Sequence, residues 1–423
     1  MVRRESAKLL FVGSIPTRTF LLFQINLEER GAASATTMNL SRLALSLGQS
    51  ATLKLNELAN NLKAEGKPVV HLGGGEPEEK IPAGAAEAGR RLLDGGFVRY
   101  TATAGTAPLK KEIAAYTERH YGVKPGLNNI VVASGAKQAI YNFLVSVIDP
   151  GDQVVFPAPY WVSYPEMVRL AYGTPVVARP KAGQLLVSAA DIEACITSST
   201  KAVLLNSPNN PSGQIYPQQF IREMVEICEH RNVYLLMDDI YNQLVFDGLK
   251  APSAFEFSRR PLNESVIVSI NGVSKTFSMT GFRIGWSVAN EAITQAMVKV
   301  QAQVSSCPSA LSQAAAAGAL AAGGDFVGTL RAGLEKKRDL MVAELSKLKK
   351  VKLHKPQGTF YSFPDFSAYE PASAKLSGLL LEKAMVVTVP GVEFGLEGHL
   401  RLSYCGAEKD IIEGVARIRK VLD

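Results

Sequence analysis

Short apolar runs rich in β-branched residues alternate with helix-like stretches through the middle of the chain, and this alternation limits the possible folds more than any other feature. The strand-like runs are Ile130–Ala133, Gln153–Phe156, Pro175–Ala178, Ala202–Leu205, Val233–Met237, Val266–Ile270 and Ile284–Val288. Helical patterns separate several of them, at Lys137–Val147, Tyr164–Leu170 and Gln218–His230. Buried strands that alternate with helices predict an α/β fold with a mostly parallel sheet sandwiched by helices.

The pattern changes near residue 309, where strand-like runs give way to helices. Helical patterns lie at Leu55–Glu65, Ala310–Ala321, Phe326–Lys349 and Glu408–Val421. With 423 residues, the chain is long enough for two domains. We therefore predict a large domain at residues 71–308 and a smaller α+β domain formed by residues 38–70 together with 309–423.

Residues 1–37 differ from the rest of the chain. Their apolar runs, Leu9–Val12 and Phe20–Ile25, are too short and too broken for a signal peptide, and the segment has three glutamates, which transit peptides avoid. Compact patterning begins after Met38. We interpret residues 1–37 as a disordered extension or the product of a misassigned start, with an organelle-targeting segment as the alternative.

Composition excludes several classes of protein. The net charge is +7, but the basic residues form no dense block, so no nucleic-acid partner is expected. No apolar run approaches the roughly 18 residues of a membrane span. The five histidines are scattered, and the four cysteines form no C-x-x-C pair, so neither a metal site nor a disulfide framework is predicted. A reduced, cytoplasmic protein is expected.

Polar residues follow almost every predicted strand. The segments are Ser134–Lys137, Pro159–Trp161, Asn206–Gly213, Asp238–Tyr241 and Asn271–Lys275. Because ligands of parallel α/β sheets bind outside the carboxyl ends of the strands, one cleft is expected to contain an anion-binding turn, an indole, an amide, a carboxylate, a phenol and a lysine. This set suits a phosphorylated, electron-poor aromatic cofactor that forms an imine with the lysine.

Three segments carry a family resemblance. Ser274–Gly285 resembles the S-K-x-F-x-M-x-G-x-R-x-G signature of the fold-type I, pyridoxal-phosphate-dependent aminotransferases, in particular the class I subgroup of bacterial aspartate and prephenate aminotransferases. Asn206–Gly213 resembles the N-x-P-N-N-P-[ST]-G loop of that family, and Arg401–Ser403 resembles its carboxylate-binding segment. The resemblance covers roughly residues 39–423 and implies pyridoxal 5'-phosphate as cofactor.

The resemblance assigns the central roles. Lys275 is expected to hold the cofactor as a Schiff base and then to move the substrate proton. Asp238 is expected to pair with the pyridine nitrogen, because the D-x-x-Y spacing to Tyr241 selects it over Asp239. Tyr241 and Asn210 are expected to hydrogen-bond the cofactor's phenolic oxygen.

Further cofactor contacts follow from the same resemblance. Trp161 is expected to stack on the pyridine ring. Tyr100 resembles a tyrosine that reaches the phosphate in the neighbouring subunit, which implies a homodimer with shared active sites. The expected phosphate-binding residues of the subunit itself are Ser134, Gly135, Ala136, Lys137, Ser274 and Arg283.

The expected substrate contacts centre on Arg401, which the resemblance pairs with the α-carboxylate. Gly75, Trp161 and Asn210 are expected to complete that site. The chain departs from the family at three places: Gly272 replaces a frequent hydroxyl residue, Glu78-Glu79 replaces an acid–aromatic pair, and Ala102 replaces a proline. The candidates for binding a distal carboxylate are Lys137, Arg42 and Ser50–Thr52.

The resemblance implies ping-pong transamination between an L-amino acid and a 2-oxo acid. Aspartate or glutamate is the leading donor, with 2-oxoglutarate as acceptor and prephenate as a further acceptor. Three alternatives remain: an aromatic or alanine-type aminotransferase, a β-lyase on the same scaffold, and an aminotransferase-like sensor domain of a transcription regulator. The last needs a DNA-binding module, for which the residues before Met38 are too few.

Overall fold

The computed structural model describes residues 40–48 and 51–423. The interpretation of residues 1–37, the position of Met38 and the candidate Ser50 lie outside the described residues, and the side chains of Ala51 and Thr52 are not described either. Leu47–Asp423 form one compact unit. The unit that ends at Ser46 contains the short helix α1 (Arg42–Ser46) and is considered by itself.

Helices and strands alternate along the larger unit. Its α-helices are α2 (Ala51–Ala64), α3 (Ala83–Asp94), α4 (Ala107–Tyr121), α5 (Ala136–Val147), α6 (Tyr164–Leu170), α7 (Ala189–Glu193), α8 (Gln218–Arg231), α9 (Glu291–Val304), α10 (Ala310–Ala322), α11 (Gly324–Leu345), α12 (Ser373–Ala384) and α13 (Glu408–Leu422). Its strands are β1 (Val70–His71), β2 (Ile130–Ala133), β3 (Gln153–Pro157), β4 (Thr174–Ala178), β5 (Thr200–Asn206), β6 (Tyr234–Asp238), β7 (Ile267–Gly272), β8 (Gly285–Val288), β9 (Tyr361–Ser362), β10 (Val386–Val387), β11 (Val389–Pro390) and β12 (Leu400–Ser403).

A seven-stranded sheet has the order β2-β8-β7-β6-β5-β3-β4. Strands β7, β6, β5, β3 and β4 run parallel, and β8 runs antiparallel to both of its neighbours. All seven predicted strands belong to this sheet, with bounds that differ by two residues at most. The predicted α/β fold with a mostly parallel sheet is therefore confirmed.

Helices cover both faces of the sheet because the strands are apolar on both faces. Leu204 and Leu236 pack on one side against residues of α5 and α6, such as Phe143. Leu205 and Leu235 pack on the other side against residues of α8. Since successive side chains of a strand point to opposite faces, two adjacent leucines supply both cores.

The remaining strands form two small sheets, β1-β10 and β11-β12-β9. Leu55 and Ala59 of α2 pack with residues of β10 and β11, as expected from the sequence. Helix α11 ends at Leu345, four residues before the predicted Lys349, and the chain then turns so that Leu348 is buried. The division into domains at residues 70/71 and 308/309 stays a prediction.

Candidate active site

A cavity of about 500 Å³ lies at the carboxyl ends of β5, β6 and β7. Its walls include most of the residues that the sequence singled out: Gly75, Ala136, Lys137, Trp161, Asn210, Asp238, Tyr241, Ser274, Lys275, Arg283 and Arg401. The strands align these groups through their register, since Asn206 at the end of β5 is paired with Asp238 at the end of β6.

Asp238 and Asp239 have different surroundings although they are adjacent. Asp238 lines the cavity, and its Oδ2 accepts a hydrogen bond of 2.6 Å from the hydroxyl of Tyr164. Burial raises the pKa of Asp238 to about 6, while the Tyr164 hydrogen bond lowers it. Asp239 is directed to Ser269, whose hydroxyl donates to it at 2.6 Å, and burial raises its pKa to about 8. Of these two adjacent aspartates, Asp238 is the one that lines the cavity.

Lys275 lies three residues beyond the end of β7. Its Nζ donates a hydrogen bond of 2.6 Å to the carbonyl oxygen of Gly75. Burial lowers the pKa of Lys275 to about 8, and the positive charges of Arg401 and Arg283 add to this effect. A lysine with such a pKa loses its proton readily, as imine formation and proton transfer both require.

The turn before α5 and the guanidinium of Arg283 pack directly against each other. Gly135 has φ +91°, and a Cβ atom there would lie 2.4 Å from Nη2 of Arg283. Helix α5 has no side-chain cap at its first turn, so its N–H groups are left for a ligand. Arg283 and the first residues of α5, Ala136 and Lys137, line the cavity together, and these donors fit a phosphate group.

Arg401 is a buried guanidinium whose hydrogen-bond partners are neutral. Its Nη1 donates to Oδ1 of Asn210 and its Nη2 to the carbonyl of Gly73, both at 3.0 Å, while Nε has no partner. Its guanidinium carbon lies 4.2 Å from the centre of the Tyr361 ring. Among the described residues no carboxylate pairs with it, so the arrangement fits a carboxylate ligand.

Trp161 and Lys137 form one wall of the cavity. Nζ of Lys137 lies 4.9 Å from the centre of the Trp161 ring, a cation–π contact. The Trp161 ring meets Tyr164 edge-on, with centroids 5.5 Å apart. Because Tyr164 in turn holds Asp238, one short segment of chain carries both an aromatic face and the partner of the carboxylate.

Three of the expected cofactor-binding residues, Ser134, Gly135 and Tyr100, are not among the residues that line the cavity. Gly135 packs against the guanidinium of Arg283, which does line it. Tyr100 is 92% exposed. The distal-carboxylate candidate Arg42 belongs to the separately described unit.

The sequence did not indicate Tyr164, Tyr361 or the position of Glu76 in the cavity wall. Tyr361 approaches Tyr241 with their hydroxyl oxygens 3.4 Å apart. Tyr164 follows Trp161 by one helical turn, and this spacing was the available signal. Tyr361 lies far along the chain from every motif, so no spacing in the sequence indicated it.

Among the described residues, no three histidine, cysteine, aspartate or glutamate side chains form a group that could hold a metal ion. Nor does any described helix have both the length and the apolar composition to cross a membrane.

Comparison with known proteins agrees with this geometry. The profile of the family described as "Aminotransferase class I and II" matches residues 67–418. The aspartate aminotransferase of Rhizobium meliloti is 37% identical over 392 residues, which is 89% of this chain and 95% of that protein. The aspartate/prephenate aminotransferase of Cereibacter sphaeroides is 37% identical over 385 residues, covering 88% and 95% of the two chains.

Solved structures give the same result. The crystal structure of the Rhizobium meliloti aspartate aminotransferase matches with a TM-score of 0.87 at 36% identity, covering 91% of this chain and 99% of that one. The aspartate aminotransferase from Thermus thermophilus with maleate also has a TM-score of 0.87, at 34% identity, with 91% and 100% covered. The fold and the site define a fold-type I transferase. The chain belongs to the class I and II aminotransferases, and the predicted transaminase activity is supported.

Proposed function

We propose that this aminotransferase binds pyridoxal 5'-phosphate in the 500 Å³ cavity, with Lys275 as the residue that holds it. The observation that carries the proposal is the convergence of Asp238, Lys275, Arg283 and Arg401 on one cavity. When bound, the cofactor supplies an electron sink that makes the α-proton of an amino acid removable.

Each wall of the cavity contributes a different interaction with the cofactor. The carboxylate of Asp238 is placed to keep a pyridine nitrogen protonated, and Trp161 offers a face for the ring. Tyr241 and Asn210 are the donors for the phenolic oxygen. The phosphate is assigned to Arg283, Ser274 and the uncapped start of α5, with Ala136 and Lys137 contributing backbone N–H groups.

The residues of this chain then bind the substrate and move its proton. Arg401 would bind the α-carboxylate through Nε, which has no partner among the described residues, and through Nη1 and Nη2. The carboxylate would replace the present partners of Nη1 and Nη2, Asn210 Oδ1 and the carbonyl of Gly73, near the loop at Gly75. Lys275, whose pKa is lowered to about 8, is the residue that would take up the α-proton of the substrate as a base and hold it within the cavity. The half-buried Trp161 helps to exclude water.

Aspartate is the proposed amino donor, followed by glutamate, with 2-oxoglutarate as the acceptor. The names of the relatives support this choice, and one of them also acts on prephenate by its name, which makes prephenate a candidate acceptor here. Lys137 is the described cation that lines the cavity besides Lys275, Arg283 and Arg401, so it is the proposed partner of a distal carboxylate.

A homodimer is proposed because Tyr100 is far more exposed than a tyrosine with a role inside its own subunit would be. In a dimer, its hydroxyl could reach the phosphate of the partner subunit. The cytoplasmic location also stays a proposal, consistent with four cysteines that are all free thiols.

The assignment of Lys275 is tested by borohydride reduction of the purified protein, which should fix the cofactor to Lys275. The Lys275→Ala variant should keep some cofactor but lose turnover by a factor on the order of 10⁴, because the general base is removed. Near-normal transamination in this variant would refute the assignment.

The substrate is tested with a panel of amino donors against 2-oxoglutarate and prephenate. Turnover that depends on the oxo acid and is fastest with aspartate supports the proposal. Fastest turnover with aromatic donors or alanine would assign the enzyme to those classes. Release of pyruvate and ammonia without any oxo acid would make the protein a β-lyase.

A further inference from the structure

A second cavity, of about 740 Å³, lies outside the proposed active site and shares no lining residue with it. Five parts of the chain form it: the end of α4, the segment that leads into α8, the loop after β6, α11, and the segment at Gln357. Its volume falls within the range of sites for small organic ligands. Nothing in the proposed transamination uses these residues.

The floor of the second cavity is apolar and its rim is cationic. Tyr121, Ile215, Tyr216 and Val245 are buried on the floor. The exposed cations on the rim are Arg119, Lys250 and Arg331. An exposed carboxylate, Glu256, also lines the cavity, so the charged lining carries an excess of two positive charges.

None of the three rim cations forms an ion pair with any other residue that the structure describes. Unpaired cations around an apolar floor attract an anion with an apolar body. The floor contacts the apolar part of such a ligand, and the cations contact its negative charge.

The start of α8 adds further donors on the same side. Pro217 occupies the N-cap position and supplies no side-chain cap, and both Pro217 and Gln218 line the cavity. The first N–H groups of a helix have no partner within the helix and favour a negative charge. This feature is independent of the rim cations and indicates the same sign of ligand charge.

The walls are held in place by hydrogen bonds, so the cavity is formed before any ligand arrives. Gln357 accepts from the Ile215 N–H through its Oε1 at 3.0 Å and from the Phe246 N–H through its carbonyl at 2.8 Å. Next to this wall, the buried guanidinium of Arg338 donates to both oxygens of Asp247 at 2.9 Å. The segment after β6 is thereby fixed to α11.

We propose that the second cavity is a binding site for a small aromatic acid, whose ring lies on the floor at Tyr121 and Tyr216 and whose acidic group meets Arg119, Lys250 and Arg331. The contact is reversible and non-covalent. It is separate from the substrate carboxylate site at Arg401.

The probe for this proposal is anilinonaphthalene sulfonate, an aromatic anion whose fluorescence rises in apolar surroundings. The full-length purified protein is titrated with the dye in the absence and in the presence of saturating maleate, a dicarboxylate chosen to compete for the proposed carboxylate site at Arg401. We expect saturable binding that maleate does not displace. Displacement by maleate would place the dye in the catalytic cavity and overturn the proposal.

Variants then locate the dye. The double variant Arg119→Gln/Arg331→Gln should weaken dye binding about tenfold, because two charge-assisted contacts are lost. Glu256→Gln should tighten binding, since it removes the one opposing charge of the lining. The matched control, Lys409→Gln/Lys420→Gln, removes the same net charge from exposed positions of α13 and should leave binding unchanged.

The two variants are expected to change dye binding in opposite directions, which a non-specific effect on the protein would not do. If the Arg119/Arg331 variant binds the dye as the control does, or if Glu256→Gln has no effect, the second cavity is not the site. Transamination of aspartate is measured in parallel for each variant. Loss of dye binding with unchanged transamination separates this proposal from the proposed catalytic function.

Discussion

The carboxyl group of Asp238 is subject to influences that move its pKa in opposite directions. Burial raises the pKa, whereas the hydrogen bond from Tyr164 and the positive charge of Lys275 lower it, and the resulting pKa is about 6. In the role proposed for Asp238 the ionised carboxylate is the form that holds a pyridine proton, so the hydrogen bond from Tyr164 favours the form that this role requires.

The Tyr164→Phe variant tests this balance. Without the hydroxyl donor the pKa of Asp238 should rise. As the solution is acidified, the variant should therefore lose activity at a higher pH than the wild type does. The acidic limb of the kcat–pH profile is expected to move up by about one to two pH units, the equivalent of one hydrogen bond to a charged group. Tyr160→Phe, the same change in the same segment, is the control. An unmoved limb in Tyr164→Phe would contradict this role.

The family's D-x-x-Y spacing to Tyr241 selected Asp238 over Asp239, and in the structure Asp238 lines the cavity whereas Asp239 accepts a hydrogen bond from Ser269. Spacing was not sufficient for Tyr164 or Tyr361. Their contacts join segments that are distant in the chain, 74 residues apart for Tyr164 and Asp238 and 120 residues apart for Tyr241 and Tyr361. Such pairs depend on tertiary packing, which no local pattern specifies.

At the level of elements, the turn between β2 and α5 has no room for a side chain. The turn requires φ +91° at Gly135 and lies against Arg283, the proposed phosphate ligand. The same close approach recurs at Gly285, where a Cβ atom would lie 2.3 Å from the backbone nitrogen of Ala136. Two glycines therefore let the start of α5 and the beginning of β8 meet.

Gly135→Ala should weaken binding of pyridoxal 5'-phosphate on the order of tenfold or more, because the new methyl group displaces Arg283. Gly151→Ala is the matched control. Gly151 has a similar φ of +99°, but nothing lies within 4 Å of a Cβ atom there. Both variants carry the backbone strain, and only Gly135→Ala should lose affinity in a cofactor titration. Equal losses in the two would assign the effect to strain alone.

The strands of the seven-stranded sheet were predictable, whereas the two-residue strands and several helices, such as α4 and α9, were not predicted. Strands β2 to β8 are mainly apolar runs, buried along most of their length except at the edge strand β4, and such runs are recognisable without context. Strands β1, β9, β10 and β11 have two residues each. Two-residue strands are too short to show a periodic sequence pattern, and they form because neighbouring strands supply their hydrogen bonds.

For the molecule as a whole, Asp239 links stability to pH. Burial raises its pKa to about 8 in the folded protein, above the ordinary value of 3.8. Between these two values the folded state holds a proton that the unfolded state has released. Stability therefore falls as the pH rises through this window, and the loss is complete above the folded pKa.

Asp239→Asn should remove this contribution while still accepting the Ser269 hydrogen bond. Between pH 6 and pH 8 the variant should lose less stability than the wild type, by up to about 1.4 kcal/mol per pH unit. Urea unfolding at both pH values measures the difference. Asp94→Asn, at an exposed position, is the control. Parallel pH dependence in the wild type and Asp239→Asn would show that the carboxyl group does not retain its proton.

The partners of Arg401 have a consequence for how a substrate arrives. An amide and a backbone carbonyl hold the guanidinium in place without cancelling its charge, as a carboxylate would. The cavity thus keeps a positive potential, to which Lys137 and Arg283 contribute. Dicarboxylic amino acids, the proposed substrates, carry a net charge of −1 at neutral pH and should be drawn in by this field over a distance set by the Debye length, about 8 Å at physiological ionic strength. Their capture should therefore slow as salt is added, while the rate of the chemical step stays constant.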